Sequence, residues 1–303
     1  MTKPPIFLNN FNSFMVGYMD CIGIVGFGRM GSAAAESYIN AGYKVYGWNR
    51  SLEKVDKVYG VEKITRLKDL PSKCSLIMVF VSDDDASAQV LYGKDGLFSG
   101  SSSDTVILNA STISPIHSKL AYDISHELNI NYLHTPIMGG PKTLVEMRSL
   151  ILVDGDKNLF KLVEGDLKII SRERLYLGPP PTASVVKLIL NSIAFTNAEI
   201  LSEVISLAEA WDVNLDKLYE AASKTWLKCI FDKYMRRILS EDYPSSFRMR
   251  LAAKDLFYTT ASGYYKDIHM PIISMVSQLY LHASSLGYSE DDYSRIFKIF
   301  KRK

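Results

Sequence analysis

The chain has 303 residues, 22% charged and 47% hydrophobic, with a formal net charge of +2. That is enough for one or two domains with full cores, an ordinary globular composition, and no overall basicity that would point to nucleic acid. Three cysteines (Cys21, Cys74, Cys229) have neither disulfide nor metal-ligand spacing, which suits a reducing cytoplasm, and no apolar run approaches the 18 or so residues a membrane helix needs.

Residues 1–18, MTKPPIFLNNFNSFMVGY, carry a Pro pair and an Asn cluster but no sustained apolar core, so they make a poor secretory signal. They read as a loosely ordered extension or as residues foreign to the native protein, with Met19 the natural start. From Cys21 the pattern is clear. Ile22, Ile24 and Val25 form a short strand that ends in Gly26-Phe27-Gly28-Arg29-Met30-Gly31. A helical pattern follows from Ser32 to about Ala41, Gly42 stops it, and Tyr43 to Trp48 reads as a second strand. In this strand–turn–helix setting the first glycine permits the tight turn and the second lets backbone approach a pyrophosphate. The third lets helix pack on strand. The helix N-terminus adds free N–H groups for phosphate. The segment reads as a dinucleotide site.

Sites for NAD usually place an acid near the end of the second strand, bonded to the ribose 2′-OH. Here that end is Asn49-Arg50-Ser51. An acid would repel a 2′-phosphate, whereas Arg50 can pair with one, so NADP is expected in preference to NAD.

The alternation continues. Short helices are expected at Ser51–Val58 and Leu67–Leu70, and strands at Lys63–Ile64, Ser75–Val81, Thr105–Asn109, Asn131–Thr135 and Ser149–Val153. The Ser82-Asp83-Asp84-Asp85 run can cap a helix reaching Tyr92, and another helix runs from Pro115 to about Leu128. Together these predict a doubly wound, mostly parallel α/β Rossmann domain over residues 19–180, with ligands at the strands' C-terminal ends. Val81-Ser82 and Ser111-Thr112 fall at such ends. After Gly178-Pro179-Pro180-Pro181 strand signals nearly vanish. Residues 183–211 form a long apolar helix, followed by helices near 215–224, 226–239, 247–262, 270–286 and 290–300. Residues 181–303 therefore read as an all-α domain, its long helix too apolar to stand exposed and so buried between domains or subunits.

In that helix Lys187 and Asn191 are four residues apart and share a face. Apolar neighbours strip water from the lysine and pull its pKa toward the range useful in acid–base catalysis. Taken alone, the plainer reading is a lysine snorkelling from a helix rim. Phe247, Lys254 and Asp255 fit either a site or a solvated helix surface, and Gly139-Gly140 either an anion-binding backbone pair or a turn.

In order along the chain, Gly26–Gly31, Asn49-Arg50-Ser51, Ser111-Thr112-Ile113-Ser114-Pro115, Pro136…Gly139-Gly140, Lys187…Asn191, Leu251…Lys254-Asp255 and Asp292…Ser294 resemble the β-hydroxyacid dehydrogenase family. This covers about Met19 to Phe300. The resemblance implies an NADP-dependent oxidoreductase that interconverts a small hydroxy compound and its semialdehyde or keto form. It also implies a cytoplasmic homodimer or homotetramer built through the helical domain, with a small-molecule substrate and neither nucleic acid nor membrane as partner. By the same resemblance Lys187 is the catalytic acid/base, and Asn191 orients substrate. Lys254 closes over nicotinamide and substrate with Asp255 beside it, while Thr112, Val81 and Ser82 touch the cofactor. Ser111, Met138, Gly139 and Gly140 fall in the substrate region.

Two departures stand out. Met138 occupies the place of a family serine whose hydroxyl holds the substrate carboxylate, a loss of roughly 1.5–3 kcal/mol, so a simple 3-hydroxy acid is expected to bind more weakly unless Lys142 or Arg148 substitutes. Pro181-Thr182-Ala183 stands where the family has Gly-x-Gly. Rival readings are an imine reductase, against which Lys187 counts, and a relative that binds NADP without turnover. A 6-phosphogluconate dehydrogenase would need a longer helical domain.

Overall fold

In β1 (Cys21–Val25), Ile22 and Ile24 face one core, Val25 faces another, and all three are fully buried. A strand covered on both sides has no use for polar alternation. The computed structural model describes residues 20–240 and 243–300; the expectations for residues 1–18, and Met19 itself, lie outside the described residues. After β1 come α1 (Arg29–Asn40), β2 (Lys44–Trp48), β3 (Val61–Lys63), β4 (Leu76–Val79), α2 (Asp84–Tyr92), α3 (Leu97–Gly100), β5 (Val106–Asn109), α4 (Pro115–Glu127) and β6 (Asn131–His134). These strands are parallel in the order β3-β2-β1-β4-β5-β6. α1 packs on one face, and α2, α3 and α4 on the other. The chain reverses direction across the sheet between β1 and β4, which opens a crevice at their C-terminal ends.

Beyond β6 the sheet departs from simple parallel winding. After β7 (Ile137–Met138) and α5 (Pro141–Val145), β8 (Leu150–Gly155) runs antiparallel to both β6 and β7. Then α6 (Lys157–Leu167) leads to β9 (Glu173–Tyr176), parallel to β8 at the edge. The sequence reading did not include β7, α6 or β9. The expected helices at Ser51–Val58 and Leu67–Leu70 are 3-10 segments, Leu52–Lys57 and Leu67–Ser72, the second carrying Pro71.

The rest is helical: α7 (Thr182–Ala210), α8 (Leu215–Ser223), α9 (Lys228–Leu239), α10 (Met249–Tyr265) and α11 (Pro271–Ala283). The helix expected over 270–286 runs as α11 and a closing π segment from Ser284, and Gly287, at φ +96°, ends it there; the expected 290–300 helix is a 3-10 segment, Tyr293–Ile299. This half has its own core, including Phe195, Ile205, Leu256, Tyr280 and Ile296. α7 is in fact long and apolar enough to cross a membrane by length and composition, because its polar residues are few. Half of that stretch is buried within the protein. Lys187, Asn191 and Glu199 lie on the buried stripe with Phe195 and Ile205, as in a core helix.

Candidate active site

The turn after β1 gives each fingerprint glycine a separate physical reason. Gly26 has φ +94°, and a Cβ there would sit 2.1 Å from the Phe80 carbonyl oxygen. At Gly31 a Cβ would lie 1.9 Å from the Gly26 oxygen. At Gly28 it would meet nothing within 4 Å. Gly28 therefore keeps side-chain atoms out of a cradle at the start of α1, as a closely approaching pyrophosphate requires. Gly28→Ala is expected to keep the wild-type melting temperature but weaken NADPH binding in a fluorescence titration. Gly31→Ala should cost about 1–3 kcal/mol in denaturant melts, because overpacking forces backbone to move.

From this cradle a groove of about 980 Å³ runs past the end of β2, lined there by Asn49, Arg50, Ser51 and Lys54. Asn49 is structural: its Oδ1 accepts from the Phe27 N–H at 2.9 Å and its Nδ2 donates to the Ser51 carbonyl. Phe27 corrects the sequence reading, since its ring is buried in the sheet core and its N–H is already taken. Of the groove's three acids among the described residues, Asp83 caps α2 through the Ala86 N–H, Asp95 pairs with Lys68, and Asp85 is exposed. Arg50 is exposed.

The other way, Gly28, Phe80, Val81, Ser82 and Arg250 are shared with a cavity of about 210 Å³ beneath the helical domain. Met30, Ser111, Thr112, Gly139, Lys187, Lys254 and Asp255 also line it. Lys187 is buried and donates to the Ile137 carbonyl (2.7 Å), Asn191 Oδ1 (3.3 Å) and Met138 Sδ (3.4 Å). Burial pulls its pKa down to about 8; Asp255 pulls the other way, and Lys254 adds to the fall. Asn191 donates through Nδ2 to Asp255 Oδ2 at 2.7 Å, which fixes the amide so that its oxygen faces Lys187. Lys254 donates to the carbonyls of Ser82 and Thr112 at 2.8 and 2.6 Å and lies 3.0 Å from Asp255 Oδ1. Ser111 is buried; its hydroxyl accepts from the Val81 N–H and ties together the ends of β4 and β5.

The start of α7 is fastened by Asp154, whose Oδ2 accepts from the Ala183 N–H at 2.7 Å. Burial pushes that carboxyl up to about 7, partly offset by the same hydrogen bond. The segment before α10 is held by Asp292, which accepts from the N–H groups of Ser246 and Phe247 and pairs with Arg237 at 3.0 Å. Burial opposes the Asp292 charge, yet Arg237 and bonds from Ser294 and Ser246 hold its pKa below the ordinary value. Arg29 reaches across the cleft to the carbonyl and hydroxyl of Ser245.

Three sequence expectations need correction. The Gly140 N–H is taken by Thr143 Oγ1 at 2.8 Å and is not offered to an anion. Met138 does not line the cavity; its sulfur lies against Lys187 instead. Lys142 and Arg148 both turn to Glu146 on the surface, and neither lines the cavity. What the sequence reading missed are Ser246, Arg248 and Arg250, which do line it. The only signal for them was the basic Arg248-Met249-Arg250 run just before the Lys254-Asp255 pair.

Residues 21–178 match the family described as the NAD binding domain of 6-phosphogluconate dehydrogenase, and residues 182–300 the family described as NAD-binding of NADP-dependent 3-hydroxyisobutyrate dehydrogenase. Among curated relatives, the chain is 25% identical to the chloroplastic glyoxylate/succinic semialdehyde reductase 2 of Arabidopsis thaliana, over 92% of this chain and 79% of that protein. It is 26% identical to the cytokine-like nuclear factor N-PAC of Drosophila pseudoobscura pseudoobscura, over 91% of this chain but only 46% of that longer protein. Its fold matches Mycobacterium tuberculosis 3-hydroxyisobutyrate dehydrogenase with a TM-score of 0.84 at 16% identity, covering 94% of this chain and all of that one. With its fingerprint turn, its interdomain cavity and both halves matched, the chain belongs to the β-hydroxyacid dehydrogenase family.

Proposed function

We propose that this protein is an NADP-dependent oxidoreductase that interconverts a small hydroxy acid or alcohol and its semialdehyde or keto form, with Lys187 as general acid and base. One observation carries the reading. A buried lysine with a lowered pKa, oriented by an asparagine and a carboxylate, sits in a cavity continuous with a dinucleotide groove. Bound nicotinamide supplies or accepts the hydride. The protein's own residues handle the proton. In reduction Lys187 delivers one to the oxygen of the forming alcohol; in oxidation it removes the same proton. A pKa of about 8 leaves both forms accessible near neutral pH, as this work requires. Asn191, locked by Asp255, orients the ammonium, and the thioether of Met138 is a weak acceptor that a substrate oxygen can displace. Lys254 draws α10 onto the carbonyls of Ser82 and Thr112, narrowing the cleft and excluding water.

The preference for NADP over NAD rests on Arg50, with Ser51 and Lys54 beside it and no acid at the end of β2. The test is a panel of semialdehydes, keto acids and imines, with NADPH and NADH consumption followed side by side. The proposal expects NADPH-dependent turnover of semialdehydes or keto acids, and turnover confined to imines would refute it.

We also read the outer face of α7 as the contact between copies. Ile189, Ile193, Ile200 and Leu207 are 48–59% exposed along it, a stripe unusual for a face left in water. Light scattering should give a dimer or tetramer, and Ile193→Glu with Ile200→Glu should shift it toward monomer. A cytoplasmic setting completes the reading and is checked by cell fractionation.

A further inference from the structure

Among the described residues, the cavity is lined by five cationic side chains, Arg29, Lys187, Arg248, Arg250 and Lys254, and by one carboxylate, Asp255. Asp255 is already engaged by Asn191 and Lys254. A low-dielectric cleft of one sign focuses its field on an anion. Four of the five cations have work elsewhere. Lys187 handles the proton, Lys254 holds the carbonyls of Ser82 and Thr112, and Arg29 is bonded to Ser245. Arg250 also lines the dinucleotide groove. Arg248 has no such role.

Arg248 stands on a firm base. It is the N-cap of α10 and forms a backbone bridge with Asp292, while the Met249 N–H donates to the Asp291 carbonyl at 2.8 Å. Ser246 and Phe247 just before it are pinned by the Asp292 carboxylate. Its Nε lies 2.9 Å from Glu290 as an ion pair without a hydrogen bond, whereas the Nε of Arg250 donates to Glu290 at 2.7 Å. Glu290 is 62% exposed and lies outside the cavity lining, so it steadies both arginines from the solvent side. Counting Glu290 too, cations among the described residues still outnumber carboxylates five to two. A guanidinium has five N–H donors in a planar fork, and contact through Nε leaves the terminal pair for a ligand.

We propose that Arg248 binds a second anionic group of the substrate, a carboxylate or phosphate at the end remote from the reacting carbon. This rests on the hydride-transfer reading above and deepens it. It adds an anchor at the remote end of the substrate, where Lys142 and Arg148, turned to Glu146, provide none.

The test measures NADP-dependent oxidation of 3-hydroxypropanoate, 2-(hydroxymethyl)glutarate and 4-phosphoerythronate by wild type, Arg248→Gln and Arg248→Lys. Wild type should favour the doubly anionic substrates over 3-hydroxypropanoate in kcat/KM. Whichever of the two is faster identifies carboxylate or phosphate. Arg248→Gln should shrink that preference about ten- to a hundredfold, the range for one charge-assisted bond, mostly through KM. Arg248→Lys should restore part of it, and the NADPH dissociation constant should not move. A wild type without the preference, or a glutamine variant that keeps it, overturns the proposal. If no hydroxy compound is turned over at all, the hydride-transfer reading fails instead. Calorimetry of glutarate against butanoate, on protein saturated with NADP, then decides the Arg248 site. Tighter glutarate binding in wild type but not in Arg248→Gln upholds it, and equal affinities overturn it.

Discussion

Replacing Lys187 with Met is expected to lower kcat for NADPH-dependent reduction about a thousandfold, within the range a positioned general acid contributes, while NADPH affinity holds within about twofold. The variant should also fold. Holding the ammonium in the interior moves its pKa from 10.5 to about 8, which corresponds to about 3 kcal/mol against the native state. Removing it strands the Ile137 carbonyl and Asn191 Oδ1 at about 1–3 kcal/mol each. These nearly cancel, and Met fills most of the space, so the melting temperature should stay within a few degrees. The sign is also testable. The folded-state pKa lies below the unfolded one, so the lysine's cost is full below pH 8. It is relieved as pH rises toward 10.5, so the stability of the Met variant relative to wild type should fall across that window. Turnover surviving in the variant would remove Lys187 from the chemistry.

Arg50→Ala should raise the NADPH dissociation constant about ten- to a hundredfold and leave that of NADH nearly unchanged. One charge-assisted contact to phosphate is worth roughly 1.5–3 kcal/mol, and only NADPH carries the 2′-phosphate. Arg50→Asp should go further and reverse the preference, since a carboxylate repels that phosphate and accepts from a free 2′-OH. Parallel fluorescence titrations with the two cofactors measure both effects. Equal losses for both cofactors would mean that Arg50 supports the groove without reading the phosphate.

The cofactor half was legible because its constraints are local. Gly26, Gly28 and Gly31 lie within six residues of one turn, and Gly31 answers directly to the Gly26 carbonyl, although the Phe80 carbonyl that excludes a side chain at Gly26 comes from β4's end. The pairing of Lys187 with Asn191 was legible for the same reason, as i,i+4 on one helix. The orienting carboxylate was not: Asn191 and Asp255 are 64 residues apart. Still less visible was the bond from Arg29 to Ser245, across 216 residues, or the approach of Ser246 to Gly140. Expecting Lys142 or Arg148 to reach the substrate failed because charge alone does not give direction. Glu146 lies close enough in sequence to engage both, so both point outward. β7 is only two residues long, and β9 lies at the sheet edge with two of its four residues exposed. Neither carries the apolar run that revealed β4 and β5.

The central claim is that Lys187 moves the proton that accompanies hydride transfer. Single-turnover oxidation of NADPH by a reducible semialdehyde, followed by stopped flow from pH 6 to 10, tests it most directly. The rate of reduction should be level at low pH and fall with an apparent pKa of about 8, as Lys187 loses its proton; oxidation of the alcohol should show the mirror-image rise. A rate that stays level through pH 10 would contradict the assignment.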